Sequence, residues 1–304
     1  MLPVLLLALL PEVHAQACAC SRNPGLPLLV VTRPWEGLFV AGYGVSYASD
    51  PDSWLGFASK DRLGDSMEGM YMPPQVFQTA TLGAALGLPG GFGVGTTVPW
   101  MTVHHVHPSG MAGDVDASAP GDVGTTLLWG RSTHGMDRYF GANLGVTWPT
   151  GLTRAGGGTR FGRGTIGATG VIWASRKVAP RWGVMASVGG ATGFGLDATG
   201  YGVGPSATGS FGARFSLREG GPVILSASTL LRWQGTDVQD ALVYENTGYL
   251  SHDLSLGASW NVWSHHQRSA TLFAGVNAPL WQIVGDPMYA ENVSGSLGAS
   301  LVAF

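Results

Sequence analysis

The sequence is poor in charge, in lysine and in long apolar runs. Charged residues make up 12% of the 304 residues, against a usual ~25%, which is too few to cover a soluble domain of this size. No run reaches the ~18 consecutive apolar residues of a membrane-spanning helix. The net charge of −3 and the 2 lysines exclude the basic surface that a nucleic-acid partner needs. What remains is 48 glycines and evenly spread apolar positions, a composition typical of a transmembrane β-barrel.

The N-terminal residues carry features of an exported protein. Residues 2–10 form a short apolar stretch, and the small-residue site Ala15-Gln16-Ala17 follows it, which predicts a signal peptide cut before Cys18. Cys18 and Cys20 are the only cysteines, and we interpret them as incidental. Lipid attachment at Cys18 is one alternative, but Gln16 fits a lipid-anchor signal poorly. Binding of a soft metal ion by the two thiols is the other alternative. We expect a signal peptide at 1–17, a short periplasmic segment at 18–34 and a barrel at 35–304, in the outer membrane of a Gram-negative bacterium.

From residue 35 onwards the chain alternates apolar with small or polar residues, at the period of two that a β-strand requires. At 249–264, for example, the alternation directs Leu254 and Leu256 to lipid and Asp253 and Ser255 to the lumen. The pattern predicts an all-β fold, a transmembrane antiparallel up-and-down barrel of about twelve strands. We place the strands at 36–48, 75–88, 92–104, 121–132, 138–150, 162–175, 181–194, 205–218, 222–235, 249–264, 268–282 and 290–304.

The connections between these strands alternate in length. The tight turns fall at 89–91, 133–137, 176–180, 219–221 and 265–267. The intervening connections are mostly longer. Because a bacterial barrel with an even number of strands begins and ends in the periplasm, we expect the tight turns to be periplasmic and the long loops extracellular.

Most tryptophans lie near predicted strand ends, where aromatic belts form at the two membrane interfaces. We assign Trp100, Trp148 and Trp233 to the outer belt and Trp129, Trp173, Trp182 and Trp260 to the inner belt. Trp263 and Trp281 have the wrong parity for the lipid face, which requires a β-bulge or a lumen-facing position. The terminal aromatic residue, Phe304, resembles the signal that the barrel assembly machinery recognises.

Few charged residues occupy the strand positions whose side chains alternate toward the lumen. Arg214, Arg232 and Asp253 lie on three neighbouring predicted strands. A charge inside a barrel needs a partner or water, so these residues either pair and brace the interior or line a path for solute. We favour bracing. The other lumen positions are mostly Gly, Ser, Thr and Ala, which leave room inside the barrel.

A histidine cluster at the end of one strand is the candidate metal site. His105 and His107 lie on the same side of an extended chain, and imidazole binds Zn or Cu. A solvated loop is the alternative. We favour it because no cysteine or carboxylate stands beside the two histidines, and we predict no cofactor.

An enzymatic barrel is a further class to weigh. Twelve-stranded outer-membrane phospholipases use a Ser-His-Asn set, and the only His-x-Ser here is His107-Pro108-Ser109. It lies in a loop, without an Asn at a following strand position to orient the histidine. We predict that the protein is not an enzyme.

Three segments between residues 98 and 151 resemble a known family. They are Val98-Pro99-Trp100, Ala119-Pro120-Gly121-Asp122-Val123 and Leu144-Gly145-Val146-Thr147-Trp148-Pro149-Thr150-Gly151. In this order they are similar to the signature of the outer-membrane barrel family named for the MetA pathway of phenol degradation. The resemblance implies a transporter of small, often aromatic or hydrophobic compounds, and it carries over no binding residue.

We therefore expect a barrel that passes a small, aromatic or hydrophobic solute across the outer membrane. The rival interpretation is a non-conducting structural or surface-binding barrel with the loops 49–74 and 105–120 as its contact surface. Both interpretations imply contact with outer-membrane lipids and lipopolysaccharide, and insertion by the barrel assembly machinery. Neither implies a nucleic acid.

Overall fold

The computed structural model describes most of the chain after residue 33. The described residues are 34–49, 58–60, 75–105, 117–133, 138–152, 161–198, 200–239, 242–244, 248–265, 268–284 and 290–303. The predictions for the signal peptide, Cys18, Cys20, His107 and Phe304 lie outside them, as does nearly all of the segment 18–34. Within these residues, no helix is long and apolar enough to cross a membrane.

Twelve long strands form the wall of a closed antiparallel barrel, which confirms the predicted fold. Each strand pairs with its neighbours in the chain, and the last pairs with the first, where Gly37 lies opposite Ala303. In chain order the strands are β1 (Gly37–Ser49), β2 (Gln75–Leu88), β3 (Phe92–His105), β4 (Val123–Thr133), β5 (Arg138–Trp148), β6 (Ile166–Ala179), β7 (Trp182–Phe194), β8 (Ser206–Ser216), β9 (Val223–Gln234), β10 (Tyr249–His265), β11 (Arg268–Val284) and β12 (Ala290–Ala303).

The two ends of the barrel differ in their connections. At the tight-turn end, Pro89–Gly91 joins β2 to β3 in one 3₁₀ turn, where Gly90 and Gly91 have φ angles of 81° and 79° that only glycine adopts without cost. At the opposite, long-loop end, short strands add to the wall. Ala117–Pro120 pairs with β3, and Ala58–Lys60 pairs with β11. A separate small sheet at the same end consists of Tyr201–Gly202, Asp237–Gln239 and Leu242–Tyr244.

The largest difference from the predicted boundaries concerns β6. This strand begins at Ile166 and ends at Ala179, whereas we expected 162–175. Residues 161–163 are not free to pair with β5, because their backbone N–H groups donate to Leu152 O and to Asp122 Oδ2. The strand consequently starts later and continues almost to the turn at 180–181.

Side chains alternate between the outer surface and the lumen as the sequence predicts. On β10, Leu256 is 51% exposed and Asp253 only 1%. The two tryptophans of wrong parity, Trp263 and Trp281, lie at register shifts between β10 and β11, and both are exposed. Bulges therefore return them to the outer surface, which is one of the two solutions that the sequence allows.

The interior divides into two halves. In the apolar half, formed by β11, β12 and β1–β4, two hydrophobic clusters are buried. The cluster toward the tight-turn end consists of Leu38, Val40, Ala85, Leu128 and Phe273. The cluster toward the long-loop end consists of Ala48, Phe77, Met101, Val103, Ala117, Ala119 and Phe161. In the polar half, formed by β5–β10, buried serine, threonine, asparagine and charged side chains predominate.

Candidate functional site

Two of the three predicted lumen charges form an ion pair in the polar half. Arg232 Nη2 on β9 lies 2.5 Å from Asp253 Oδ2 on β10. Arg232 Nε also donates a hydrogen bond of 3.1 Å to Ser251 Oγ, and the guanidinium lies 6.0 Å from the centre of the Tyr249 ring. Both charged residues are buried. This pair braces two neighbouring strands from inside the barrel.

Arg214, the third predicted charge, stands apart from this pair. It lies on β8, and its side chain runs over Gly183 of β7, where a Cβ atom would collide with it. Among the described residues, no carboxylate forms an ion pair with Arg214. The structure therefore separates one bracing pair from one cation without an acidic partner in the described wall.

Trp173 corrects the belt assignment. Its side chain is 5% exposed and points into the lumen, whereas its neighbour Ile172 is 63% exposed on the outer surface. The indole lies over two glycines: a Cβ at Gly141, directly opposite Trp173, would be 2.6 Å from Cζ2, and one at Gly130 would be 3.7 Å away. The position of Trp173 along its strand suits an inner belt, but its parity places the ring inside the barrel.

The other assigned tryptophans lie on the outer surface. Five are exposed by 43–53%, namely Trp100, Trp148, Trp182, Trp233 and Trp260. Trp129 is half-buried and packs edge-on against Phe140, with ring centres 5.6 Å apart. Their position in the interfaces of a membrane stays a prediction.

Many inward polar atoms lack a hydrogen-bond partner within the described residues. In the polar half these atoms belong to Asn143, Thr165, Trp173, Ser175 and Ser206. In the apolar half they belong to Ser46, Thr79, Thr271 and Ser300. Buried polar groups in a packed core are nearly always paired. The interior therefore holds buried polar groups on both sides that the described residues leave without a partner.

The predicted metal site lies at the edge of the described residues. His105 is the last residue of β3, where its backbone pairs with Gln75, and the placement of its side chain and of His107 lies outside the described residues. In the described part of the chain, no three His, Cys, Asp or Glu side chains are arranged to hold a metal ion. Metal binding by His105 and His107 stays a prediction.

The three segments that resemble the phenol-degradation family meet at the long-loop end, in what we call the loop node. Gly121 N donates to Pro99 O at 2.9 Å and Val123 N to Thr150 Oγ1 at 2.8 Å. Asp122 accepts from Gly151 N at 2.9 Å and from Arg163 N at 2.6 Å. The Pro-Gly-Asp and Pro-Thr-Gly sequences therefore join two connections of the barrel, β3–β4 and β5–β6, to each other and to strand β3.

Electrostatics at the loop node follow from burial. Desolvation raises the pKa of the Asp122 carboxyl, outweighing the hydrogen bonds from Arg163 and Gly151. Desolvation also lowers the pKa of the Arg163 guanidinium, against the attraction of Asp122 and Asp237. Asp237 in turn accepts hydrogen bonds from Tyr201 Oη and Gly204 N. Arg163 thus lies between the loop node and the small sheet.

A hollow of about 760 Å³ lies on the outer face of the wall. Its lining includes outward residues that face one another across β6–β11: Ile172, Val188, Gly209, Leu231, His252 and Trp281. Gly209 leaves a gap in this row, and Thr229 Oγ1 and His252 Nε2 hydrogen-bond at one edge. Its position on the lipid-facing surface separates the hollow from the lumen.

Sequence analysis did not single out Trp173 as a lumen residue, nor Asn143 and Arg163. Parity alone could have identified Trp173, because it alternates with the outward Ile172. Asn143 also has lumen parity, but nothing in the sequence distinguishes it from other small polar residues. The predicted strand 162–175 includes Arg163, so the sequence does not predict its hydrogen bond to Asp122.

Comparison with known proteins supports the fold. No protein-family model and no curated protein sequence matches the chain. The COG4313 outer membrane channel from Pseudomonas putida F1 has a similar structure, with a TM-score of 0.73 and 13% identity over 92% of this chain and 100% of that chain. The chain has the fold of an outer-membrane barrel. The KdgM porin, at a TM-score of 0.44 and 8% identity over 88% of this chain and 99% of that chain, is a more distant match.

Proposed function

We propose that this barrel carries a small solute with an apolar, often aromatic, body across the outer membrane of a Gram-negative bacterium. The observation that carries the proposal is the closed barrel, whose inner face over β5–β10 carries mostly polar side chains. Polar side chains on the inner face suit a wall along which water and a solute with polar atoms pass.

The two halves of the interior support an amphipathic solute. A lumen with buried aromatic and aliphatic clusters on one side and hydroxyl, amide and guanidinium groups on the other suits a molecule with an apolar body and a few polar atoms. The resemblance to the phenol-degradation family favours the same solute class. Transport of such a compound, rather than catalysis, is the activity that we assign.

The remaining parts of the proposal concern the cell envelope. Export by the signal peptide, insertion by the barrel assembly machinery through Phe304, and contact with lipids and lipopolysaccharide follow from a barrel in the outer membrane. None of them needs a cofactor or a nucleic acid.

A non-conducting barrel is the second candidate. The observation that favours it is the pair of hydrophobic clusters, which bury Phe77 and Phe273 inside the barrel, one toward each end. If these clusters span the lumen, the polar half would be sealed. A transport assay separates the two functions.

The experiment measures uptake of a labelled monoaromatic alcohol by Gram-negative cells that lack their general porins. We expect the wild-type protein to raise the initial rate several-fold above that of cells with an empty vector. Ser255→Trp, which adds bulk on the lumen face of β10, should lower the rate, whereas the adjacent outward change Leu256→Trp should not. Faster migration of unboiled protein on gels confirms that each variant folds. Uptake equal to that of the vector control would leave the non-conducting barrel as the function.

A further inference from the structure

Exposed basic side chains collect at the tight-turn end of the described wall. They lie near the ends of strands or in the turns between them, and they are Arg131, Arg138, Arg176, Lys177, Arg181, Arg218 and Arg268. Among the described residues, the one ion pair of this group joins Lys177 to Glu219 at 3.8 Å, and both of its members are exposed. This end of the barrel therefore presents a surplus of positive charge.

Three of these arginines form one cluster on the outer surface, which we call the arginine cluster. Arg138 of β5 lies directly opposite Arg176 of β6. Arg131 of β4 lies opposite the outward Phe140, two residues from Arg138 on β5, so all three arginines share the face of Phe140. Opposite positions bring Cβ atoms to about 5 Å and diagonal positions to about 7–8 Å. The three long side chains can therefore reach a single ligand.

The arginine cluster has no counter-ion within the described protein. None of its members forms an ion pair with a described carboxylate. Like charges directly opposite each other on neighbouring strands repel and destabilise the pair, and an anion between Arg138 and Arg176 would remove that repulsion. The guanidinium group presents its N–H donors in a planar fork that fits two phosphate oxygens at once. A phosphate group is therefore the anion that suits the cluster.

Apolar surface adjoins the arginine cluster on the side toward the middle of the wall. Phe140 is 37% exposed and packs against Trp129 of β4, with ring centres 5.6 Å apart. Ile172 of β6 is 63% exposed and lies four residues from Arg176 in the same direction. Cations at the end of the wall and apolar side chains toward its middle match a phospholipid, whose headgroup lies at the interface and whose acyl chains extend inward.

We propose that the arginine cluster binds the phosphate of an anionic phospholipid in the leaflet that surrounds the tight-turn end. Arg138 and Arg176 donate hydrogen bonds to the phosphate oxygens, Arg131 adds its charge, and the acyl chains pack on Phe140 and Trp129. A second copy of the chain suits this surface poorly, because a two-fold contact would place the same arginines against each other. The site lies outside the lumen, so it goes beyond the proposed transport and does not depend on it.

The test is native mass spectrometry of the full-length protein, folded in a neutral detergent and incubated with equal amounts of two lipids. Phosphatidylglycerol is the anionic probe, and phosphatidylcholine of the same chain length adds a cation that the cluster repels. We expect about tenfold more bound phosphatidylglycerol. Arg138→Gln with Arg176→Gln should reduce this preference to about twofold. Lysine at both positions keeps the charge but loses the planar fork, so its preference should be intermediate.

A matched control removes two other exposed cations of the same end. Arg181 precedes β7 and Arg268 begins β11, so Arg181→Gln with Arg268→Gln leaves the cluster intact and should keep the wild-type preference. Faster migration of unboiled protein on gels confirms that each variant folds. An equal loss in the control, or no preference in the wild type, overturns the site.

Two other ligands are separated by the same measurement. Displacement of phosphatidylglycerol by inorganic phosphate at the same concentration would identify a soluble anion as the ligand and overturn the lipid site. A dimer that disappears when Arg138 and Arg176 are both replaced by glutamine would identify a second copy of the chain and overturn it as well. Retention of lipid in the presence of inorganic phosphate, by a monomer, is the result that we expect.

Discussion

Phe273 and Trp173 occupy the same kind of position in opposite halves of the barrel. Each is an inward aromatic residue that lies directly opposite a glycine of the neighbouring strand, Gly298 for Phe273 and Gly141 for Trp173, and packs onto it. Phe273 joins a hydrophobic cluster with Val302 packed against it. Trp173 instead carries an N–H group without a partner in the described wall.

This difference indicates that the two halves of the lumen have different roles, one in stability and one in contact with solute. The apolar half packs its hydrophobic side chains as the core of a soluble domain does, although four of its inward hydroxyls also lack a partner among the described residues. The polar half differs in the kind of group left without such a partner, because it includes the N–H donors of Asn143 and Trp173. Damage to the apolar half should therefore affect stability, and damage to the polar half should affect solute binding.

The largest expected effect comes from deleting the aromatic ring of the apolar half. Phe273→Ala should lower the free energy of unfolding by about 3–5 kcal/mol, because it removes a buried ring and leaves a cavity. The measurement is denaturant unfolding in lipid vesicles, followed by circular dichroism. Trp173→Phe serves as the comparison and should cost far less. Equal losses of unfolding free energy at the two positions would contradict the different roles of the two halves.

Breaking the ion pair should have an effect of similar size in the polar half. Arg232→Met removes the partner of a carboxylate that is 1% exposed, which costs about 3–5 kcal/mol when no water reaches the charge. Adding Asp253→Leu should recover most of this loss, because no buried charge then remains. A loss below about 1 kcal/mol in the single variant would mean that water reaches Asp253.

Placing an arginine on either face of β10 compares the stability cost of a charge that faces lipid with the cost of a charge that faces the lumen. Leu256→Arg puts a cation on the outer surface near the middle of the strand and should cost about 2–4 kcal/mol. Ser255→Arg places the same side chain in the lumen and should cost much less. The free energy of unfolding of both variants in lipid vesicles is the measurement. The same cost for both would contradict the assigned faces.

The fold could be predicted because a barrel wall depends on local alternation. The parity of Leu254 and Asp253 follows from neighbours in the chain, and the wrong parity of Trp263 even indicated a bulge. The candidate site could not be predicted in the same way. That Arg232 pairs with Asp253 while Arg214 does not depends on the register between strands. The start of β6 depends on a hydrogen bond between residues 41 positions apart, Asp122 and Arg163.

The smallest expected effect compares two tryptophans on opposite faces of the wall, one whose indole N–H has a hydrogen-bond partner and one whose indole N–H has none among the described residues. Trp148 Nε1 donates a hydrogen bond of 2.9 Å to Thr125 Oγ1 on the outer surface, so Trp148→Phe should cost about 1 kcal/mol of stability. Trp173→Phe breaks no hydrogen bond to a described residue and relieves a buried donor, so the hydrogen-bond part of its cost should be absent. The free energies of unfolding of both variants in lipid vesicles give the decisive measurement. A loss for Trp173→Phe well above the loss for Trp148→Phe would contradict this expectation and would indicate that the Trp173 indole N–H has a partner in the folded protein.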